Sequence, residues 1–300
     1  LLEELRPSAF AVAYRMLGSV AEAEDVVQEA LLRLNAALER GEEIASPRAY
    51  LATVTTRLAI DELRSARARR EVYVGEWLPE PLLTDPAEDP AVRVEMADSL
   101  AVSFLVLLER LTPEERAVLL LHDVFDYGYG EVAEVVGKSE ANARQIAVRA
   151  RRRVEEGRRR FEGGEERRRE LGRRFFAAAE GGDMAALEGL LARDVVLRGD
   201  GGGKVPALAR ALHGADRVGR TLANWLKAGA RAGAASRQVE INGLPGLLLL
   251  DGEGRVFGAM TVEVSGERVV AINSVVNPEK LAHLGEVADA GELIRRARES

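Results

Sequence analysis

Cysteine is absent from all 300 residues, which excludes disulfide staples and thiolate metal sites. Histidine is nearly as scarce: His122, His213 and His283 are scattered along the chain, too far apart to suggest a metal cluster, and neither metal nor cofactor is expected. Aromatic residues make up only 5% of the chain and there are two tryptophans, so each indole asks for a reason. No apolar run reaches the roughly 18 residues of a membrane span. The start carries no basic stretch followed by an apolar one, so no secretion leader is expected and the reading is a cytoplasmic protein without a membrane partner. Positive charge is also in deficit, with a net charge of −7. Taken as a sum, that argues against a nucleic-acid partner.

The distribution argues the other way. Between Lys138 and Arg160 the basic residues are Lys138, Arg144, Arg149, Arg151, Arg152, Arg153, Arg158, Arg159 and Arg160, against Glu140, Glu155 and Glu156. Acid gathers instead at Glu22 to Glu29 and at Asp85 to Glu95. A hydrophobic content of 47% with 30% charged residues is that of a folded protein, and the length suits two or three domains.

Apolar residues at helical spacing run from Leu5 to Leu17 and break at Gly18, after which Ser19 caps a second helix of about residues 21–38 with an acidic outer face. Ser46 and Pro47 open a third, which ends in Arg64, Arg67, Arg69 and Arg70. Next comes Tyr73-Val-Gly-Glu-Trp-Leu-Pro-Glu-Pro81 and a Pro- and Asp-rich tract to Pro90. Trp77 between Val74 and Leu78, with Pro79 and Pro81 holding the backbone extended, reads as an anchor that docks. A tether whose indole packs on its nearest neighbour fits the same residues.

Helices resume over residues 92–111, and Thr112-Pro-Glu-Glu115 is a capping box with proline in the first turn, opening a helix to about Phe125. A short helix over 129–136, the turn Gly137-Lys138-Ser139 and a longer basic helix from Glu140 follow the pattern of a helix-turn-helix. An ordinary helical hairpin with a solvated arginine face has the same spacing. A recognition helix requires hydrogen-bonding side chains early and cations beside them. Asn142, Arg144, Gln145 and Arg149 meet the first demand, and Lys138, Arg151, Arg152 and Arg153 the second.

Gly163 and Gly164 mark a boundary. Beyond it the patterns predict helices over 167–180 and 184–192, a short strand over 195–198, helices through Ala209 and Trp225, and an antiparallel meander over 237–242, 246–250, 256–264 and 268–276. Helices followed by a meander make an α+β domain. Residues 287–300 read as a polar, helical tail. Asp200-Gly201-Gly202-Gly203-Lys204 invites a phosphate-loop reading, but a Walker loop needs four residues between its glycines and Gly-Lys-Ser/Thr at its end. The glycines instead suggest a tight loop with positive φ angles or a close approach to a neighbouring element. His213 is the histidine within the domain proper, and no nucleophile triad or carboxylate pair accompanies it, so the chain is not expected to be an enzyme.

Together, Asp25-Val-Val-Gln-Glu29, Pro47-Arg-Ala-Tyr-Leu51, Ile60-Asp-Glu-Leu-Arg64 and Leu111-Thr-Pro-Glu-Glu-Arg116 before a helix-turn-helix resemble regions two and four of the extracytoplasmic-function (ECF) sigma factors. Residues 73–81, Asp200 to Lys204 and Asn277-Pro278-Glu279-Lys280-Leu281 look like three signature motifs of the SigJ-like subgroup, whose members carry a fused SnoaL-like domain in place of a separate anti-sigma factor. Glu76 stands where proline is common and Glu279 where aspartate is.

The resemblance implies a multidomain chain: two all-α modules that bind DNA and polymerase, at residues 1–70 and 99–162, joined by a linker at 71–98. An α+β SnoaL-like domain (an NTF2-like cone) at 165–284 and a tail at 285–300 complete it. It implies that Asp25, Gln28, Glu29 and Leu32 meet the β′ clamp coiled coil of core RNA polymerase, whose β subunit is a further partner. Arg57, Asp61, Arg64 and Arg67 would lie at the minus-ten element, and Asn142, Arg144, Gln145, Arg149, Arg151 and Arg152 at the minus-thirty-five element. Tyr73, Trp77, Leu78, Pro79 and Pro81 with Asp200, Gly201, Gly202, Gly203, Lys204 and Asn277 to Leu281 would form a regulatory interface. The loop at 41–46 holds Glu42 and Glu43 and no aromatic for stacking a flipped base. Two other readings fit the same modules: a helix-turn-helix repressor with a ligand-sensing domain, and a sigma factor whose last domain is an enzyme or small-molecule receptor.

Overall fold

The computed structural model describes residues 1–71, 73–84, 99–155 and 165–299. The chain divides into two compact units, Leu1–Val72 with Phe104–Arg158, and Tyr73–Ser103 with Arg159–Ser300. Of the segment that joins the helical modules in sequence, the described residues 73–84 and 99–103 belong to the C-terminal unit.

In the first unit α1 (Leu2–Leu17) ends where Gly18 takes a left-handed φ of 67°, and Ser19 caps α2 (Val20–Glu39) by accepting the Glu22 amide at 3.2 Å. Ser46 caps α3 (Pro47–Glu71) in the same manner. These three helices bury Tyr14, Leu17, Val27, Leu34, Leu51 and Ala59. After α4 (Val102–Leu108), the capping box of Thr112 and Glu115 starts α5 (Pro113–Leu119), which continues as a π-turn over Leu120–Val124. Then α6 (Tyr129–Val136) ends at Gly137 with φ 65°, and α7 (Glu140–Glu155) follows. Val118, Leu121, Val132, Val135, Ile146 and Ala147 close the core of this helix-turn-helix. Of the helix expected over 92–111, residues 92–98 lie outside the described residues.

The second unit has α8 (Glu165–Glu180), α9 (Met184–Leu190), β1 (Leu191–Asp200), β2 (Leu212–His213), α10 (Ala215–Arg231), β3 (Ala235–Ile241), β4 (Leu244–Leu250), β5 (Val256–Ser265), β6 (Arg268–Val275), α11 (Pro278–Leu281) and α12 (Ala290–Glu299). The strands form one sheet in the order β2-β1-β6-β5-β4-β3. The meander from β3 to β6 is antiparallel as expected, but β1 lies parallel to β6, with Leu197 opposite Ile272. Alternation along the strands divides the sheet faces. Met260, Val262, Val264 and Ile272 join Phe175, Phe176 and Leu222 of the helices in the core. Ala259, Thr261, Asn273 and Val275 face the other way, toward Pro79, Pro81 and Val102.

Three expectations need correction. The helix from Met184 stops at Leu190, because residues 191–200 are drawn into β1, a strand of ten residues in place of the short one expected. No helix forms at Ala209: the chain instead reaches Ala211, whose amide donates to the Glu76 carboxylate at 3.0 Å, and pairs as β2 with β1. The C-terminal residues are more than a polar tail, since Val287 bridges to Val256 and Ala288, Ala290 and Leu293 are buried.

Candidate functional site

On α2, Asp25, Gln28, Glu29 and Leu32 all face outward. Their spacing of i, i+3, i+4 and i+7 places them on one stripe. Leu32 is 58% exposed, an apolar side chain that no packing in its own helical bundle explains.

The residues expected at the minus-ten element are occupied. The Arg57 guanidinium donates to the Val135 and Glu134 carbonyls at 3.0 and 2.8 Å, acceptors at the C-terminal end of α6 where carbonyls lack helical partners. Arg64 reaches Glu114 at 2.6 Å and Asp61 at 3.0 Å. Burial alone would raise the Glu114 carboxyl, but the hydrogen bond from Arg64 holds it below the usual carboxylate range and, with the Glu114 charge, raises the Arg64 guanidinium. The Arg67 side chain lies outside the described residues. Deeper in the same seam Arg116 donates to the Arg15 carbonyl at 3.2 Å and to Glu109 at 2.6 Å. Arg15 stacks over Phe125 at 5.4 Å, and burial lowers it to about 10. Arg15, Glu134 and Val135 were not singled out from sequence, and Glu114 entered only as part of the capping box; Arg15, a cation in an otherwise apolar stretch, was the available signal.

On α7 the exposed face carries Asn142, Arg144, Gln145, Val148, Arg149 and Arg152. Arg144 pairs with Glu140 at 2.5 Å and lies 4.5 Å from the Tyr129 ring centroid. Arg151 donates to Asp123 at 2.8 and 2.5 Å, the interaction that chiefly raises its guanidinium, and to the Tyr129 hydroxyl at 3.2 Å. Arg153 is held by Glu115 at 2.5 Å.

The residues proposed for a regulatory interface meet in the second unit around the Asp200 carboxylate, which is fully buried at the end of β1. It accepts the Tyr73 hydroxyl at 2.5 Å, the Lys280 ammonium at 2.7 Å, the Leu78 amide at 2.8 Å and the Gly202 amide at 3.0 Å. A buried carboxylate requires this many donors. Lys280 also donates to the Leu78 carbonyl and lies 4.3 Å from the Trp77 ring centroid and 5.0 Å from that of Tyr73, an ammonium between two aromatic faces. Asn277 donates to the Tyr73 hydroxyl at 2.9 Å and caps α11, which Pro278 opens. Burial, joined by the hydrogen bond to Asp200, pushes the Tyr73 phenol well up.

The glycines supply close approach. Gly202 and Gly203 have φ of 59° and 72°; a Cβ on Gly202 would run into the Asn277 amide, and one on Gly203 would lie 2.9 Å from the Val74 Cβ. Gly201 packs on the Val205 carbonyl, and Lys204 pairs with Glu279. Leu78, Pro79, Glu80, Pro81 and Leu281 are buried. The strip then leaves along the edge of β3 through a single antiparallel bridge: the Asn242 amide donates to the Leu82 carbonyl at 2.7 Å, the Asn242 side-chain oxygen accepts the Leu82 amide at 3.1 Å, the Thr84 amide donates to the Glu240 carbonyl at 3.1 Å, and Leu83 bridges Ile241. His283 contacts the Pro81 carbonyl through its Nε2 at 2.8 Å. Glu240, Asn242 and His283 escaped the sequence reading because they belong to no motif.

The space between helices and sheet is filled by Phe175, Phe176, Leu187 and Leu222. On the opposite face a recess of about 10 Å³ beside Pro79, Pro81 and Asn273 has room for about one water. Glu263 there accepts the Ser103 amide at 2.8 Å and the Asn273 amide at 3.1 Å. No group of acidic or histidine side chains suited to a metal ion occurs among the described residues, and none of their helices is long and apolar enough to cross a membrane.

Residues 1–69 match Sigma-70 region 2 and residues 101–154 match Sigma-70, region 4. The ECF RNA polymerase sigma factor SigJ of Mycobacterium tuberculosis is 40% identical over 287 residues, covering 93% of this chain and 91% of that protein. The probable ECF RNA polymerase sigma factor SigI of the same organism is 32% identical over 272 residues, with 90% of each covered. The crystal structure of the M. tuberculosis extracytoplasmic function sigma factor SigJ aligns with a TM-score of 0.75 at 36% identity, covering 93% of this chain and 96% of that one.

Proposed function

Because the chain belongs to the extracytoplasmic-function sigma factors of RNA polymerase, and so directs promoter-dependent initiation, we infer that its C-terminal domain regulates that task in cis. In this reading the chain works in the cytoplasm, without catalysis of its own and without a separate anti-sigma factor. The α2 stripe of Asp25, Gln28, Glu29 and Leu32 takes the β′ clamp coiled coil. Arg57, Asp61, Arg64 and Arg67 serve the minus-ten element, and α7 reads the minus-thirty-five element from the major groove.

One observation carries the regulatory part: Arg57 and Arg64, the region 2 cations meant for promoter DNA, hold atoms of region 4 instead. While they do, the two modules cannot lie on separate promoter elements. The strip 73–84, which links those modules in sequence, is bound to the C-terminal domain through Asp200, Asn242 and Lys280. The filled interior of that domain supports a role in holding the strip in preference to a role in turnover.

Reconstituted transcription with core polymerase tests the proposal. The full chain is compared with a form ending at Arg158, the boundary of the first unit. A marked change in promoter-dependent transcript is expected on truncation, and equal output from both forms overturns cis regulation. Failure of the full chain to bind core polymerase, with Asp25 and Gln28 irrelevant, would favour a repressor with a sensing domain.

A further inference from the structure

The α7 helix buries Ala143, Ile146, Ala147, Ala150 and Val154. Val148 takes no part in that stripe and stands 63% exposed on the opposite side. Its neighbours on the helix surface are Arg144 and Gln145, four and three residues before, and Arg151 and Arg152, three and four after, while Arg149 lies about a quarter turn further round. Arg144 and Arg151 are drawn aside by Tyr129, Glu140 and Asp123. The side chains of Gln145 and Arg149 make no hydrogen bond with the described residues. Val148 is thus an apolar spot at the edge of a face that carries two uncommitted polar readers, Gln145 and Arg149.

Valine is a costly choice for such a site: it is a poorer helix former than the alanine, arginine and glutamine around it, and its exposure adds nothing to the core. It does offer stiffness, since a β-branched side chain in a helix holds essentially one rotamer. A rigid methyl pair facing outward suits an apolar target at a fixed place. The base edges of the major groove present one apolar group, the C5-methyl of thymine.

We propose that Val148 is a specificity-determining residue that packs on a thymine methyl, selecting an A·T pair next to the bases met by Gln145 and Arg149. The inference rests on α7 being the promoter-reading helix. The expected discrimination is that of one buried methyl group, about fourfold.

The test uses holoenzyme reconstituted from core polymerase and the full chain, selecting from promoter duplexes randomised across the upstream element. Two libraries are made in parallel, one with thymidine and one with deoxyuridine, which differ only in the methyl. The wild type should enrich an A·T pair at one position about fourfold more from the thymidine library. Val148→Ala should show no difference between libraries at that position, and Val148→Ile should keep it. An identical wild-type motif from both libraries, or a difference that survives in Val148→Ala, overturns the inference. Gln145→Ala and Arg149→Ala should alter the adjacent positions. If they leave the motif unchanged, the reading of α7 itself is wrong and the methyl contact falls with it.

Discussion

Lys280 and Asp200 concentrate most of the risk in the clasp, the cluster in which the Asp200 carboxylate holds Tyr73, Leu78 and Lys280. Lys280→Met keeps much of the apolar stem but leaves a fully buried carboxylate without its cation, which costs about 3–5 kcal/mol. Thermal unfolding of the variant should therefore show a separate, lower transition for the C-terminal unit, and an unchanged melting profile would mean that the pair is dispensable. Tyr73 gives a pH signature. Its phenol lies above the ordinary value of about 10 because the neutral form is buried and donates to Asp200. The clasp thus has its full stability below pH about 10 and loses it as pH rises through the raised value. Tyr127 is raised as well, chiefly by burial. In an ultraviolet phenolate titration, Tyr73→Phe should remove a late step of the wild-type curve, and an unchanged curve would count against the buried hydrogen bond to Asp200. Gly202→Ala should be destabilising for two reasons, a φ of 59° and a collision with Asn277.

At the scale of the element, the strip 73–84 behaves as a bound peptide held at both ends: by Asp200 and Lys280 at Leu78, and by β3 at Thr84. Leu78 is its deepest side chain, with no exposed surface. Truncation of such a leucine costs about 2–5 kcal/mol, whereas half-buried Trp77 acts mainly through its contact with Lys280. Limited proteolysis should cut Leu78→Ala within the strip faster than Trp77→Ala, and both faster than the wild type. Equal rates for all three would count against docking. From the residues alone, Trp77 and the two prolines leave docking and a tether equally open, and the three glycines leave a tight loop or a close approach; it is the resemblance to the SigJ-like motifs that points to docking. The partners at Asn242 and Glu240 were not legible, since they act partly through backbone atoms on an ordinary strand. The parallel β1–β6 pair escaped for a related reason: hydropathy gives each strand its faces but says nothing of its neighbour when the two lie some 75 residues apart. Capping residues, by contrast, placed α2, α3 and α5 to within a few residues.

For the whole molecule, the proposed regulation makes the seam between regions 2 and 4 the contact that must part when the chain opens. The Arg64–Glu114 pair is 57% and 31% exposed, so it contributes at most about 1 kcal/mol, and Glu114→Gln should raise promoter binding no more than about fivefold. Arg116, 2% exposed between Glu109 and the Arg15 carbonyl, matters more to the seam. Arg116→Met should separate fluorophores placed on α2 and α7 more than Glu114→Gln does; the reverse order would show that the exposed pair governs opening. The clasp also has a history within each molecule. Lys280 holds the Leu78 carbonyl across 202 residues of sequence, and a ribosome adding about 5–20 residues per second takes roughly 10–40 s to cover that distance. Both promoter-reading modules leave the ribosome within that interval, before the residues that fasten the strip have been made. Every new chain is therefore born unfastened, and the rate of translation through the last domain sets how long it remains so.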